Sequence, residues 1–216
     1  MTGQIIIVNG TSGAGKSTTC STFARRADTP YLMFGMDLLV STCFPAKYTL
    51  FGDKKDEGYN VTSYGPMARR AIEAMNGMIA GAAHAGQNMI VDHFMFLDPP
   101  FLQDCIWRLV DVPVLLVNLK PSHAVLAKRH SERTFELPAP IVEAAGGADA
   151  VKLINEALAS TMPWFYERAY ANDCVDLELD SGVLSADEVC ERIQARLKEG
   201  PGTAFDKLRR KYPKQI

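Results

Sequence analysis

The stretch QIIIVNGTSGAGKST, residues 4–18, decides the fold of this chain. It starts with a short apolar run rich in β-branched residues, which predicts a buried strand. It continues with the full pattern G-x-x-x-x-G-K-[S/T], from Gly10 to Ser17, and a helical pattern follows over residues 16–26. A glycine-rich loop between a buried strand and a helix is typical of a phosphate-binding loop.

The residue types in this loop suit a nucleotide and a magnesium ion. Glycines allow positive φ angles, so successive backbone N–H groups can converge on phosphate oxygens at a helix N-terminus. We predict that Lys16 reaches the β- and γ-phosphates and that Ser17 gives its hydroxyl to Mg²⁺. The predicted nucleotide-binding residues are Gly10, Thr11, Ser12, Gly13, Ala14, Gly15, Lys16, Ser17 and Thr18.

Beyond the loop, short apolar runs alternate with longer helical patterns. This alternation predicts an α/β fold in which a five-stranded parallel sheet is covered by helices on both faces. The predicted strands span residues 4–9, 31–36, 88–94, 112–119 and 174–179. The predicted helices span residues 16–26, 65–85, 99–109, 122–132, 149–170 and 185–198.

The length of 216 residues predicts one domain, which we place at residues 1–200, with a lid and insertion at about 122–163. Two segments, 45–64 and 134–147, do not fit the alternation and are expected to be functional or mobile loops. The last segment, 201–216, is basic. It predicts either a solvated tail or short docking helix, or a site for an anionic ligand.

The composition is that of a globular protein with a real core, because hydrophobic residues make up 47% and charged residues 22% of the chain. The net charge of −2 argues against a large nucleic-acid-binding surface. Five scattered cysteines without a C-x-x-C pair indicate reduced thiols. The sequence shows neither a signal peptide nor an apolar span of about 18 residues, so we expect a cytoplasmic protein without a membrane helix.

Polar residues that directly follow strands point to the reacting end of the sheet, because ligands of open α/β sheets bind beyond the carboxyl ends of the strands. Asp37 is our candidate for the group that accepts the proton of a reacting hydroxyl; alternatively, it caps the following helical turn. Asp92 is expected to orient Mg²⁺ or the acceptor, or to be structural. His93 beside it either contacts the acceptor or is a hydrogen-bonded structural residue.

Four motifs together resemble the chloramphenicol phosphotransferase-like kinases, small P-loop enzymes that phosphorylate a hydroxyl of a small molecule with ATP. They are NGTSGAGKST (9–18), PYLMFGMD (30–37), YGPMARR (64–70) and NMIVDHFMF (88–96). FGMD matches the F-G-x-D of the family, whose Asp is the proposed general base, and this implies that role for Asp37. The resemblance implies a P-loop kinase fold with a helical lid, and ATP as the nucleotide.

Two further features of the family have counterparts here. Gly65-Pro66 with Arg69 looks like the family's G-P-x-x-R, which places Arg69 beside the acceptor pocket. The family carries arginines after the fourth strand that fold over the phosphates, and Arg129 and Arg133 are our candidates for this catalytic role. Alternatively, these two arginines share one charged face of a helix at i and i+4.

The resemblance therefore predicts an ATP-dependent phosphotransferase with an alcohol acceptor, for which an antibiotic such as chloramphenicol, and hence a role in antibiotic resistance, is one candidate. The alternatives are a nucleotide, sugar or toxin-like kinase on the same scaffold, or a non-catalytic module gated by ATP. Expected contacts of the acceptor are Phe34, Asp37, Arg69, Asp92 and His93. The following residues line an apolar pocket or belong to the core: Phe34, Met36, Phe44, Tyr48, Phe94, Met95, Phe96 and Trp164.

Overall fold

The computed structural model describes residues 2–39, 43, 66–132, 160 and 162–214. Within them, five strands form one parallel sheet in the order β2-β3-β1-β4-β5. The predicted α/β fold with five parallel strands is thereby confirmed. The strands are β1 (Ile5–Asn9), β2 (Leu32–Gly35), β3 (Met89–His93), β4 (Val114–Leu119) and β5 (Leu177–Leu179).

Helices cover both faces of this sheet, and five of them have bounds within two residues of the predicted helices 16–26, 65–85, 99–109, 122–132 and 185–198. A short helix at residues 36–38 was not predicted, and a helix at residues 204–211 lies in the predicted basic segment. The longest predicted helix, 149–170, is described at residue 160 and from Met162 onwards. The predicted loops 45–64 and 134–147 lie outside the described residues. The helices are α1 (Lys16–Arg26), α2 (Met36–Leu38), α3 (Pro66–His84), α4 (Phe101–Arg108), α5 (His123–Glu132), α6 (Met162–Ala169), α7 (Ala186–Lys198) and α8 (Ala204–Lys211).

The central strand β1 separates two hydrophobic cores, because successive side chains of a strand point to opposite faces. Ile5 and Ile7 pack on one face with buried residues of α3, α4 and α8. Ile6 and Val8 pack on the other face with buried residues of α1 and α7. All five residues of β1 are buried, as expected for a central parallel strand.

The register brings the carboxyl ends of the three central strands to one edge of the sheet. Asn9 of β1 pairs with His93 of β3 on one side and with Asn118 of β4 on the other. The phosphate-binding loop leaves the sheet at this edge and leads into α1. The carboxyl ends of β3, β1 and β4 and the loop after β1 therefore lie together at the predicted reacting end of the sheet.

The basic C-terminal segment contributes a helix to the domain. Phe205 and Leu208 of α8 are buried in the core with α3 and α4. The carboxylate of Asp176 accepts hydrogen bonds from the backbone N–H groups of Thr203 and Ala204, at 2.7 and 2.9 Å, where α8 begins. Negative charge at a helix N-terminus is favourable, so this contact anchors α8 to the amino end of β5.

In the described part of the chain, no helix combines the length and apolar content that crossing a bilayer requires.

Candidate nucleotide and acceptor site

The loop after β1 has the backbone geometry of a phosphate cradle. Gly13 and Gly15 have φ angles of 77° and 90°, which residues other than glycine adopt only with strain. The loop ends where α1 begins at Lys16, so its N–H groups lie at the positive end of a helix. Anionic oxygens are the ligands that this arrangement favours.

A cavity of about 560 Å³ opens beside the loop. Its walls come from the loop and the first turn of α1, from Phe94 after β3, from Arg129 of α5, and from the segment between β5 and α7. Six of the nine predicted nucleotide-binding residues line it. The other three, Gly10, Thr11 and Ala14, are buried. The lining residues from the loop are Ser12, Gly13, Gly15, Lys16, Ser17 and Thr18.

Lys16 lies at the wall of this cavity and is only 5% exposed. Its Nζ donates a hydrogen bond to the backbone oxygen of Thr11 at 3.1 Å. It also lies 4.3 Å from the centre of the Phe94 ring, which is the geometry of a cation–π contact. The ammonium is therefore held between the loop and the residue that follows β3.

Arg129 joins helix α5 to the phosphate-binding loop. Its Nη1 donates to the backbone oxygen of Gly13 at 2.9 Å, and its Nη2 donates to the backbone oxygen of Ser181. The hydroxyl of Ser181 in turn donates to the backbone oxygen of Ala14 at 2.7 Å. Arg129 thus contacts the loop at Gly13, while Arg133 is outside the described residues.

His130 packs against the same part of the loop, at Gly13. A Cβ atom placed on Gly13 would lie 2.5 Å from His130 Cε1, so only glycine leaves room for the imidazole ring. The Nδ1 of His130 donates to the backbone oxygen of Leu126 at 2.8 Å, which fixes the ring. The sequence analysis missed His130 and Ser181. Ser181 follows β5 by two residues, so the rule on polar residues after strands would have found it.

Asn9, which is buried, and Tyr170, which is half-buried, lie behind the loop and connect it to the sheet. Asn9 donates through Nδ2 to Asn118 and to the backbone oxygen of Ala169, both at 2.8 Å, and accepts from the N–H of Met95 at 2.9 Å. Tyr170 donates through its hydroxyl to the oxygen of Leu119 and accepts from the N–H of Thr11 at 3.3 Å. Burial raises the pKa of Tyr170, so the hydroxyl stays protonated.

The carboxylate of Asp92 explains the glycine of the F-G-x-D motif. Asp92 is 1% exposed and pairs with Gly35 on the neighbouring strand β2. A Cβ atom on Gly35 would overlap Asp92 Oδ1, and the φ angle of Gly35 is 146°, so both space and backbone require glycine. Asp37 follows in the short helix α2, and its side chain is not among the parts of the chain that the structure describes.

His93 is fully buried, and its hydrogen bonds lead away from the loop. Its Nε2 lies 2.8 Å from Asn76 Oδ1, and Asn76 Nδ2 donates to Asp104 Oδ2 at 2.9 Å. Because a carboxylate only accepts, Asn76 turns its amide nitrogen to Asp104 and its oxygen to His93, so Nε2 carries the proton of His93. Burial lowers the pKa of His93 to about 4. Its contact with an acceptor stays a prediction.

The other predicted acceptor residues lie on β2 and α3. Phe34 is half-buried and packs against the core, and Arg69 is exposed near the start of α3. Phe94, Phe96, Trp164 and Phe165 form an aromatic cluster with ring centres 4.9–6.0 Å apart. Phe44 and Tyr48 lie outside the described residues.

The predicted magnesium ligands are both hard oxygen donors at the reacting end of the sheet. The hydroxyl of Ser17 lines the cavity, and the carboxylate of Asp92 lies at the end of β3. Mg²⁺ prefers such oxygens and is usually held by one or two of them together with phosphates. Among the described residues, no group of three or more His, Cys, Asp and Glu side chains could hold a metal ion.

Residues 3–198 match the family model described as chloramphenicol phosphotransferase-like protein. No curated protein matches the sequence of the chain.

Solved structures of kinases share the fold of the chain at low sequence identity. A sugar kinase from Janibacter sp. is 17% identical with a TM-score of 0.58, covering 93% of this chain and 97% of its own. The APS kinase of Mycobacterium tuberculosis in complex with AMPPNP and APS is 14% identical with a TM-score of 0.58, covering 91% and 98%. A gluconokinase from Sinorhizobium meliloti is 16% identical with a TM-score of 0.54, covering 91% and 92%.

Proposed function

The chain belongs to the chloramphenicol phosphotransferase-like family, and on this premise we propose that it transfers the γ-phosphate of ATP to a hydroxyl of a small molecule. One observation carries the proposal. The Lys16 ammonium lies in the wall of a 560 Å³ cavity formed by a glycine-rich loop and a helix N-terminus, next to the carboxyl end of β3. The carboxyl ends of the strands are where ligands of open α/β sheets bind, so this site suits both the phosphates and the acceptor.

The loop residues would hold the nucleotide by its phosphates. Backbone N–H groups at Gly13 and Gly15 and the ammonium of Lys16 supply fixed positive charge for phosphate oxygens. Ser17 and Asp92 would hold Mg²⁺, directly or through water, and the ion supplies charge neutralisation on the phosphates when it is bound. Arg129 joins helix α5 to the loop at Gly13.

Transfer needs a base on the acceptor side. The hydroxyl oxygen of the acceptor attacks the γ-phosphorus while the bond from that phosphorus to the β,γ-bridging oxygen breaks, and ADP leaves. Asp37 takes the proton of the hydroxyl, and Arg133 covers the transferring group and keeps water out. Phe34 and Arg69 contact the acceptor in this proposal, and the fully buried His93 takes the structural role. An antibiotic such as chloramphenicol is a candidate acceptor, and a resistance role would follow from it.

The test is ADP release from ATP and Mg²⁺ with a panel of chloramphenicol, nucleosides, aminoglycosides, macrolides and simple sugars. Mass spectrometry detects the gain of about 80 Da that one phosphoryl group adds to the acceptor. We expect one class in the panel to stimulate ADP release and to gain this mass. A chain that binds ATP but phosphorylates no compound of the panel would be either the non-catalytic module or a kinase of an acceptor outside the panel, and phosphate found on nucleosides or sugars would identify those kinase classes.

Asp37→Asn should keep ATP binding but lower the transfer rate by about 10²- to 10⁴-fold, because a positioned general base contributes that much. The matched control is Asp111→Asn. Asp111 is exposed at the amino end of β4, away from the loop, and its φ of 61° suits asparagine. Unchanged transfer by the Asp37 variant would move the role of base to another carboxylate, with Asp92 next in line.

A further inference from the structure

Phe94 stands between the phosphate cavity and the aromatic cluster of Phe94, Phe96, Trp164 and Phe165. It directly follows β3, is half-buried, and lines the cavity with part of its ring. Away from the cavity, the ring centre lies 5.4 Å from that of Phe96 and 6.0 Å from that of Phe165. These two neighbours are buried in the core, so they hold the Phe94 ring in place.

The opposite contact of Phe94 is the ammonium of Lys16, 4.3 Å from the ring centre. A lysine side chain carries its ammonium on a flexible four-carbon stem, and ordering this stem costs conformational entropy. The Thr11 oxygen and the Phe94 ring both contact this ammonium. A ring attracts a cation through its quadrupole and leaves the charge of the cation intact.

We propose that Phe94 is a positioning residue for Lys16, whose ammonium it holds at the cavity wall so that a triphosphate meets a preorganised cation. The inference rests on the proposed nucleotide site. Preorganisation strengthens binding because the ordering cost is met before the ligand arrives. The ring would act through Lys16, and its effect should therefore require an aromatic side chain at position 94 and not merely an apolar one.

The experiment compares binding of AMPPNP with Mg²⁺, by titration calorimetry, in the unsubstituted chain, Phe94→Leu and Phe94→Tyr. Leucine keeps an apolar side chain and removes the ring face, and we expect its affinity to fall about three- to thirty-fold, the range of a cation–π contact. Tyrosine keeps the face and should restore affinity to within about two-fold. Phe94→Met repeats the test with a flexible apolar side chain if Phe94→Leu fails to fold.

The matched control is Phe101→Leu. Phe101 stacks on Phe96 with ring centres 6.2 Å apart, so it loses the same atoms from the same buried region without lining the cavity. Unchanged or tighter AMPPNP binding by Phe94→Leu overturns the inference, and so does an equal loss in Phe94→Tyr or Phe101→Leu. Failure of the unsubstituted chain to bind AMPPNP would overturn the nucleotide site itself, which separates the two proposals.

Discussion

His93 ends β3 with an imidazole that is fully buried and neutral. Its Nε2–H donates to Asn76, and Asn76 in turn donates to Asp104, whose carboxylate accepts from Arg108 Nε at 2.8 and 2.9 Å. Nδ1 of His93 has no hydrogen-bond partner among the described residues. Burial is the main cause of the low pKa, because the imidazolium would lose its hydration.

This pKa makes the stability of the fold depend on pH. The unfolded imidazole titrates near 6.5 and the folded one near 4, so unfolding takes up a proton between these values. The His93 contribution is complete above pH 6.5 and is lost as the pH falls, by about 2 to 3 kcal/mol at pH 4.5. Urea unfolding at pH 7 and pH 4.5 measures this loss.

His93→Gln is the control, because its amide can donate to Asn76 without titrating. We expect the free energy of unfolding of this variant to fall less between the two pH values than that of the unsubstituted chain. Equal losses in both proteins would show that carboxylates, and not His93, cause the acid sensitivity.

Helix α5, which lies in the predicted lid segment, contacts the phosphate-binding loop through two neighbouring residues. Arg129 binds the backbone of Gly13, and His130 fills the space that a side chain at Gly13 would need. The helix and the loop therefore fit together only while position 13 lacks a Cβ atom. The glycine serves backbone conformation and helix packing at once.

Gly13→Ala should lower the free energy of unfolding by about 1 to 3 kcal/mol, because alanine at a φ of 77° is strained and its Cβ displaces the His130 ring. Gly81→Ala is the matched control. A Cβ on Gly81 in helix α3 meets no atom within 4 Å, so alanine there should stabilise the fold by about 0.5 to 1 kcal/mol. Urea denaturation of both variants provides the comparison, and a Gly13 variant as stable as the unsubstituted chain would contradict the fit.

Helix α8 closes one face of the domain and depends on a contact at the sheet edge. Asp176 precedes β5, and its carboxylate accepts from the N–H of Leu116 on β4 at 2.9 Å as well as from the N-terminus of α8. Its side chain is 2% exposed. One buried carboxylate thus joins the second half of the sheet to the last helix.

Asp176→Asn should destabilise the whole domain by about 2 to 4 kcal/mol, because an amide nitrogen would then face backbone N–H donors without solvent to compensate. Asp173→Asn makes the same change three residues earlier, at an exposed partner of Lys211, and should leave stability unchanged. Urea unfolding of both variants measures the difference, and an Asp176→Asn midpoint equal to that of Asp173→Asn would contradict the prediction. A single transition is expected for each protein, since α8 shares the core with α3 and α4.

The strands and the loop were predictable because their signals are local. β1 is an unbroken apolar run, and Gly10 to Ser17 form a contiguous pattern, so no distant residue is needed to recognise either. Helix α1 was predicted with its observed bounds for the same reason. The roles of Asp37 and Arg133 stay predictions, because the Asp37 side chain and Arg133 lie outside the part of the chain that the structure describes.

The sequence by itself determined the fold class, the phosphate-binding loop and the family, since each depends on short patterns in chain order. Only the tertiary structure decided which side chains hold the loop. Ser181 bonds Ala14 across 167 positions, Tyr170 bonds Thr11 across 159, and Phe94 contacts Lys16 from the end of β3. The sequence does not show which loop residue each of these partners contacts, because the sheet brings the strand ends together and the chain between them can have almost any sequence that folds.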